Sequence, residues 1–135
     1  MLDTAIALKT FFSGFGIPAF QEDNVPETLY DPVKKTDVEV ALPYITFELR
    51  EPEPMGHTVL AANVWYDGTD YAQIAAQVDQ IKAAVVTDGQ SGIVIEAGDG
   101  AIALWPDTNF CQFVTQEDEK IKCAHLMFEM AAYKM

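Results

Sequence analysis

With 21 acidic side chains against 8 basic ones in 135 residues, a formal charge of −13, the chain is poorly suited to grip nucleic acid, because duplex binding rests on Lys and Arg displacing phosphate counterions. The length fits a single domain over residues 1–135, enough to bury roughly two-thirds of its unfolded surface without staples. Half the residues are hydrophobic, but no run approaches the roughly 18 apolar residues of a membrane span, and no basic region precedes an apolar signal core. A soluble protein without a cleaved signal is expected, its acidity serving solubility first.

In chain order, Asp3 is positioned to cap a helix running to about Ser13, with Leu8, Phe11, Phe12 and Phe15 as an apolar stripe and Gly14 or Gly16 as its stop. Residues 17–37 carry Pro18, Pro26 and Pro32 among polar neighbours, with no sustained period. They predict an extended arm or loop, of the kind that in a compact domain is usually functional or partner-bound. LPYITFEL (42–49) alternates Ile45, Phe47 and Leu49 against Tyr44, Thr46 and Glu48, the period of a strand. The prolines of EPEPMG (51–56) then break pairing before the β-prone TVLAANVWY (58–66), which predicts a hairpin with a stiff, acidic tip.

Tyr71, Ile74, Ala75, Val78, Ile81 and Val85 recur at spacings of three and four, with Gln73, Gln77 and Gln80 on other faces, and predict a helix ending near Thr87 at the Asp88-Gly89 stop. Three short β runs follow, at 92–97, 101–106 and 109–115, with Gly98-Asp99-Gly100 as a tight turn. The last strand, 121–133, places Ala124, Leu126, Phe128, Met130 and Ala132 on one face and Cys123, His125, Met127, Glu129 and Tyr133 on the other. The fold class implied is α+β, a mostly antiparallel sheet with two main helices packed on one face.

Motifs for chemistry are sparse. The only histidines are His57 and His125. Cys123 and His125 share a strand face without a third group to complete a triad, so packing is the expected role. Cys111 and Cys123 do not make a metal framework. A hairpin of 109–115 with 121–128 would bring the two thiols nearly opposite, making a disulfide geometrically possible, although reduced thiols are expected. AGDGA (97–101) lacks the Lys-Ser/Thr and following helix of a phosphate loop. DGTD (67–70) offers two carboxylates without the closing glutamate of a calcium site. For that turn the structural explanation suffices: Asp70 and Gln73 form an Asp-x-x-Gln capping box, Gly68 turns the chain, and Asp67 and Asp70 sit favourably at the helix N-terminus. No catalytic residue, cofactor or metal is assigned. Trp65 and Trp105 lack the positive groove of a base-stacking platform, and Lys34-Lys35 and Lys120/Lys122 are the only small basic pairs.

The succession of an N-terminal helix, LPYITFELREPEP, a strand ending VWYDGTDYAQI, the helix AAQVDQIKAAV and a closing β run ending LMFEMAAYK resembles tail terminators, the small tail-completion proteins of long-tailed bacteriophages. The resemblance runs from about Ile6 to Tyr133 and rests on element order and local phrases, with no catalytic motif. The EPEP tip and the Asp99 turn match no family role. What the resemblance implies is a non-enzymatic virion protein. It would form a hexameric ring at the head-proximal end of the tail tube, stop tube growth and dock the head. Its implied partners are further copies of itself, the tail tube protein and the head connector protein, with DNA passing through without specific binding and no membrane involved. The implied location is the virion, and the host cytoplasm during assembly.

A closed ring needs two different complementary surfaces on each protomer. The candidates are the arm 17–37, with Phe20 and Tyr30, and the mixed face of the last strand around Met127 and Tyr133. Glu51, Glu53, Glu117, Asp118 and Glu119 are candidate acids of the ring lumen, where like charge would repel passing phosphates. The competing expectations are a head-completion or connector adaptor, and a small ligand-binding module or enzyme using the cleft between helix and sheet.

Overall fold

A computed structural model describes residues 2–22, 24–49, 57–68, 70–87, 90–118 and 120–134. The class is α+β as expected. A six-stranded sheet carries the fold, built from β1 (Ala19–Gln21), β4 (Tyr44–Phe47), β5 (His57–Asp67), β8 (Ile93–Ala97), β9 (Gly100–Val114) and β10 (Ile121–Lys134). Its order is β1-β4-β5-β10-β9-β8, and every neighbouring pair is antiparallel except β1 with β4. Helices α1 (Leu2–Ser13) and α2 (Ala72–Val85) pack on one face of it. Among the described residues no helix is long and apolar enough to cross a membrane.

The period of two along the strands decides which side chains meet the helices. Ile45 and Phe47 of β4, Leu60, Ala62 and Val64 of β5, and Ala124, Leu126, Phe128 and Met130 of β10 form one continuous core with Leu8 and Phe12 of α1 and Ile74, Val78, Ile81 and Val85 of α2. Phe12 is its hub, stacked on Phe47 at 5.4 Å and edge-on to Phe128 at 5.8 Å. Such aromatic pairs contribute about 0.5–1.5 kcal/mol beyond the area they bury.

Several local expectations change. Helix α1 already begins at Leu2, so Asp3 lies within its first turn and is not its cap. The Asp3 carboxylate lies where a Cβ on Gly98 would stand, in the two-residue turn between β8 and β9. Gly98 has φ +59°, and a side chain there would meet both backbone strain and Asp3. The runs 101–106 and 109–115 are one strand, β9, interrupted by a large bulge: Leu126 pairs with Cys111 and Phe128 with Pro106, so four residues of β9 oppose Met127 alone. Phe110 turns inward from the bulge onto Phe128, with ring centroids 5.2 Å apart. Helix α2 ends at Val85, and β6 (Val86–Thr87) pairs with β7 (Gln90–Ser91). The Asp88-Gly89 stop lies outside the described residues, as does the EPEPMG tip.

The expected arm or loop at 17–37 carries short strands. Its first part, β1, joins the sheet edge parallel to β4. The rest forms a separate hairpin of β2 (Thr28–Asp31) and β3 (Thr36–Glu39), extended by a bond from the Val40 N–H to the Glu27 carbonyl. Asp31 organises its tip: one carboxylate oxygen accepts the N–H groups of Val33 and Lys34, and its carbonyl accepts that of Lys35. This turn holds Lys35 at φ +57°. Left-handed backbone costs an ordinary residue roughly 1–2 kcal/mol. Asn tolerates it better, so Lys35→Asn is expected to raise unfolding stability by about 1 kcal/mol, measured by denaturant titration.

Gln77 was expected on a polar face of α2, yet it is only 6% exposed. Its Oε1 accepts the Tyr66 hydroxyl at 2.8 Å, and its Nε2 donates to the Phe15 carbonyl and to Gln80. The three bonds tie α2, β5 and the end of α1 together where apolar packing alone would leave polar groups stranded. Burial also pushes the Tyr66 hydroxyl pKa upward. Gln77→Ala removes the acceptor of a partly buried donor, and an unsatisfied group of this kind costs about 1–3 kcal/mol. The same titration should detect that loss, and an unchanged midpoint would mean the bonds contribute no net stability.

Candidate assembly surfaces

The face of the sheet turned away from the helices carries the polar chemistry. Pairing of β5 with β10 sets Asn63 opposite His125 and Trp65 opposite Cys123, while β4 sets Thr46 opposite Asn63. Asn63 is the node. Its Nδ2 donates to Glu22 at 3.0 Å, and its Oδ1 lies 2.7 Å from His125 Nδ1 and 3.8 Å from the Cys123 sulfur. Because an amide oxygen only accepts, His125 must carry its proton on Nδ1 for this bond. Two indoles flank the row: Trp65 donates to Thr46 at 3.0 Å and Trp105 to Glu129 at 2.7 Å. His57 lies beside the Trp105 ring, 6.1 Å between centroids.

Cysteine, histidine and asparagine together invite a nucleophilic reading, but the thiol's state opposes it. Burial, with the Glu22 carboxylate and Cys111 as lesser causes, pushes the Cys123 thiol up to about 11. It is therefore neutral at physiological pH, and its contact is with Asn63, not with a base. Cys111 pairs opposite Leu126 on the helix-facing side, whereas Cys123 pairs opposite Trp65 on the other side. The thiols thus lie on opposite faces of the sheet, and both are free. The disulfide geometry imagined for them is lost because the bulge shifts the register of β9 against β10. Among the described residues no group of three His, Cys, Asp or Glu side chains is placed to hold a metal ion.

The Asp70–Gln73 capping box does not form. The helix N-cap is Tyr71, without a side-chain cap bond, and Asp70 Oδ1 accepts the N–H of Ala72 at 2.9 Å. Gln73 therefore falls at the second helical position, one short of the place from which a box residue reaches back. It is exposed and borders an open groove of ≈ 410 Å³ with Pro43, Tyr66, Asp67 and Gln80.

The interface candidates separate. Phe20 is 4% exposed, its ring 6.0 Å from that of Tyr44, so it belongs to the packed sheet edge and not to a free surface. β1 is what buries it, and a three-residue parallel strand has no sequence period to reveal it. Tyr30, on the separate hairpin, is 64% exposed. Met127 is half-buried at the bulge, and Tyr133 is 55% exposed on the same face. Glu117 and Asp118 are exposed in the turn between β9 and β10, where Asp118 Oδ1 accepts the Lys120 N–H. Glu51, Glu53 and Glu119 lie outside the described residues.

A further apolar surface escaped the sequence reading. Tyr71, expected in the core stripe of α2, is exposed and meets exposed Phe113 edge-on at 5.2 Å, with the Lys122 ammonium 5.1 Å from the Tyr71 ring centre. The pair stands at one end of an open cleft of ≈ 480 Å³ between α2 and the bulge, lined by Val78, Asp79, Lys82, Asn109 and Cys111 among others. Thr108, Asn109 and Phe110 of the bulge, a feature of pairing register, form one wall of it. No protein-family model matches the chain, and a search of the curated proteins finds no match.

For Cys123 the pH consequence has a definite sign. A thiol raised from 9.0 to about 11 leaves the fold unpenalised below pH 9, and stability then falls as pH rises from 9 towards 11, because the unfolded chain ionises first. Alkylation by iodoacetamide at pH 8 should accordingly be at least tenfold slower at Cys123 in the folded protein than in denaturant, as read by mass spectrometry of the labelled peptide. Equal rates would mean that the thiol is neither buried nor held protonated.

Proposed function

We propose that this protein is a phage virion assembly protein of the tail-terminator type. It forms a ring at the head-proximal end of the tail tube, stops the tube's growth and docks the head connector. The observation that carries the reading is a pair of unlike apolar surfaces on one protomer. One is the β2–β3 hairpin, which leaves Leu29, Tyr30 and Val33 exposed. The other is the Tyr71–Phe113 pair beside the α2 cleft. Head-to-tail rings close through two such different patches, whereas a two-fold dimer needs only one self-complementary patch.

Two further features agree with it. An isolated two-stranded hairpin is marginal in water, so a hairpin whose strands pair only with each other would gain stability from a partner. The charge of −13 suits a ring through which DNA passes without sticking. Catalysis has no place in this reading, and the protonated Cys123 thiol speaks against the one nucleophile worth naming.

The test is tube assembly. Adding the protein to polymerising tail tube subunits should give shorter tubes of narrower length distribution, with extra density at one end in electron micrographs. Unaltered lengths and bare ends, with binding to the head connector instead, would replace the terminator with a connector adaptor.

A further inference from the structure

The β2–β3 hairpin ends in the one adjacent pair of lysines in a strongly acidic chain, Lys34-Lys35. Beside them Val33 is 89% exposed, and Tyr30 stands free one turn away. Lys35 sits in the left-handed region, which suits Gly or Asn better. The tip thus spends backbone conformation on keeping a second cation there, which the hairpin itself does not require.

The surface beside the α2 cleft has the complementary character. A bond from the Gly68 N–H to the Lys120 carbonyl, at 2.7 Å, draws the β5–α2 turn against the β9–β10 turn. That brings the acids Asp67, Asp70, Glu117 and Asp118 to the end of the domain where Tyr71 and Phe113 are exposed. Lys120 and Lys122 share this end, but the acids outnumber them, and Lys122 already lies over the Tyr71 ring. The tip is apolar with positive charge and the cleft end is apolar with negative charge.

From this complementarity we infer that the β2–β3 tip of one copy seats on the α2 cleft of the next. Tyr30 and Val33 pack against Tyr71 and Phe113, and Lys34 and Lys35 lie over Glu117 and Asp118. The occupant is a second copy of this chain, since within one copy the tip remains solvent-exposed and the hairpin pairs with itself. The contact rests on the ring reading above and gives its junction a location. Because tip and cleft differ, the contact is heterologous and propagates until the rotation closes.

Two charge reversals test it. Lys34→Glu/Lys35→Glu disables the tip and Glu117→Lys/Asp118→Lys disables the cleft, all at exposed turn positions, and circular dichroism checks that each variant folds. They move the net charge in opposite directions, so general repulsion cannot produce the same loss in both. Sedimentation velocity over a concentration series, alone and with tail tubes, should show wild-type rings and at least tenfold weaker self-association for each variant. Mixed in equal amounts, the two variants should recover assembly as alternating rings, because the unaltered tip of one meets the unaltered cleft of the other and the reversed tip meets the reversed cleft with opposite charge; no recovery in the mixture would overturn the contact. Lys35→Asn should also associate more weakly while unfolding later than the wild type.

Either reversal assembling like the wild type overturns the contact while leaving the ring intact. Wild-type protein that stays monomeric at every concentration, and on tubes as well, overturns both the contact and the ring.

Discussion

Strand β10 is the constraint on which the rest of the structure depends. It pairs with β5 on one side along residues 121–131 and with β9 on the other along most of its length. With a side-chain period of two and one face committed to the helices, its register is specified throughout: a slip by one residue would turn Leu126, Phe128 and Met130 out of the core. The same alternation commits Cys123, His125, Met127 and Glu129 to the opposite face, where Asn63, Trp65 and Trp105 complete a hydrogen-bonded row. Core and polar face are therefore consequences of one pairing.

The bulge in β9 is the single departure from that regularity, and it has several effects at once. It carries Phe110 inward onto Phe128, leaves Cys111 and Cys123 on opposite faces of the sheet, and forms one wall of the cleft beside α2. Bulges re-aim side chains in this way at the cost of local ladder bonds. The exposed Tyr71–Phe113 pair stands at the end of that cleft. A separate hairpin supplies an apolar surface of different charge. The proposed ring draws on both surfaces, one on the separate hairpin and one beside the six-stranded sheet.

Much of the scaffold was legible in the residues. Both helices stand out through the three-and-four spacing of Leu8, Phe11, Phe12 and Phe15 and of Ile74, Val78, Ile81 and Val85, and the long strands through their alternation. The errors cluster where pairing is non-local or boundaries shift by a residue. β1 is too short to show a period, and its partner lies about 26 positions away, so Phe20 read as part of an arm. Gln77 read as a polar face because its partners, Tyr66 and Phe15, come from distant segments. Asp70 read as a capping-box residue because the box depends on the exact helix start, the least determinate feature of a helical pattern.

The sequence by itself determined the α+β class, the two amphipathic helices, the faces of the strands and the acidity, because each depends on local periodicity or on composition. Only the tertiary structure decided which polar side chains meet across the open face, that the two thiols lie apart, and that Tyr71 and Phe113 stand outside the core. It also paired residues 28–31 with 36–39, mostly within the expected arm or loop, as a hairpin with a lysine-bearing tip. The reason is that register, bulges and separate hairpins are set by long-range hydrogen bonding between strands, whose partners no local pattern names.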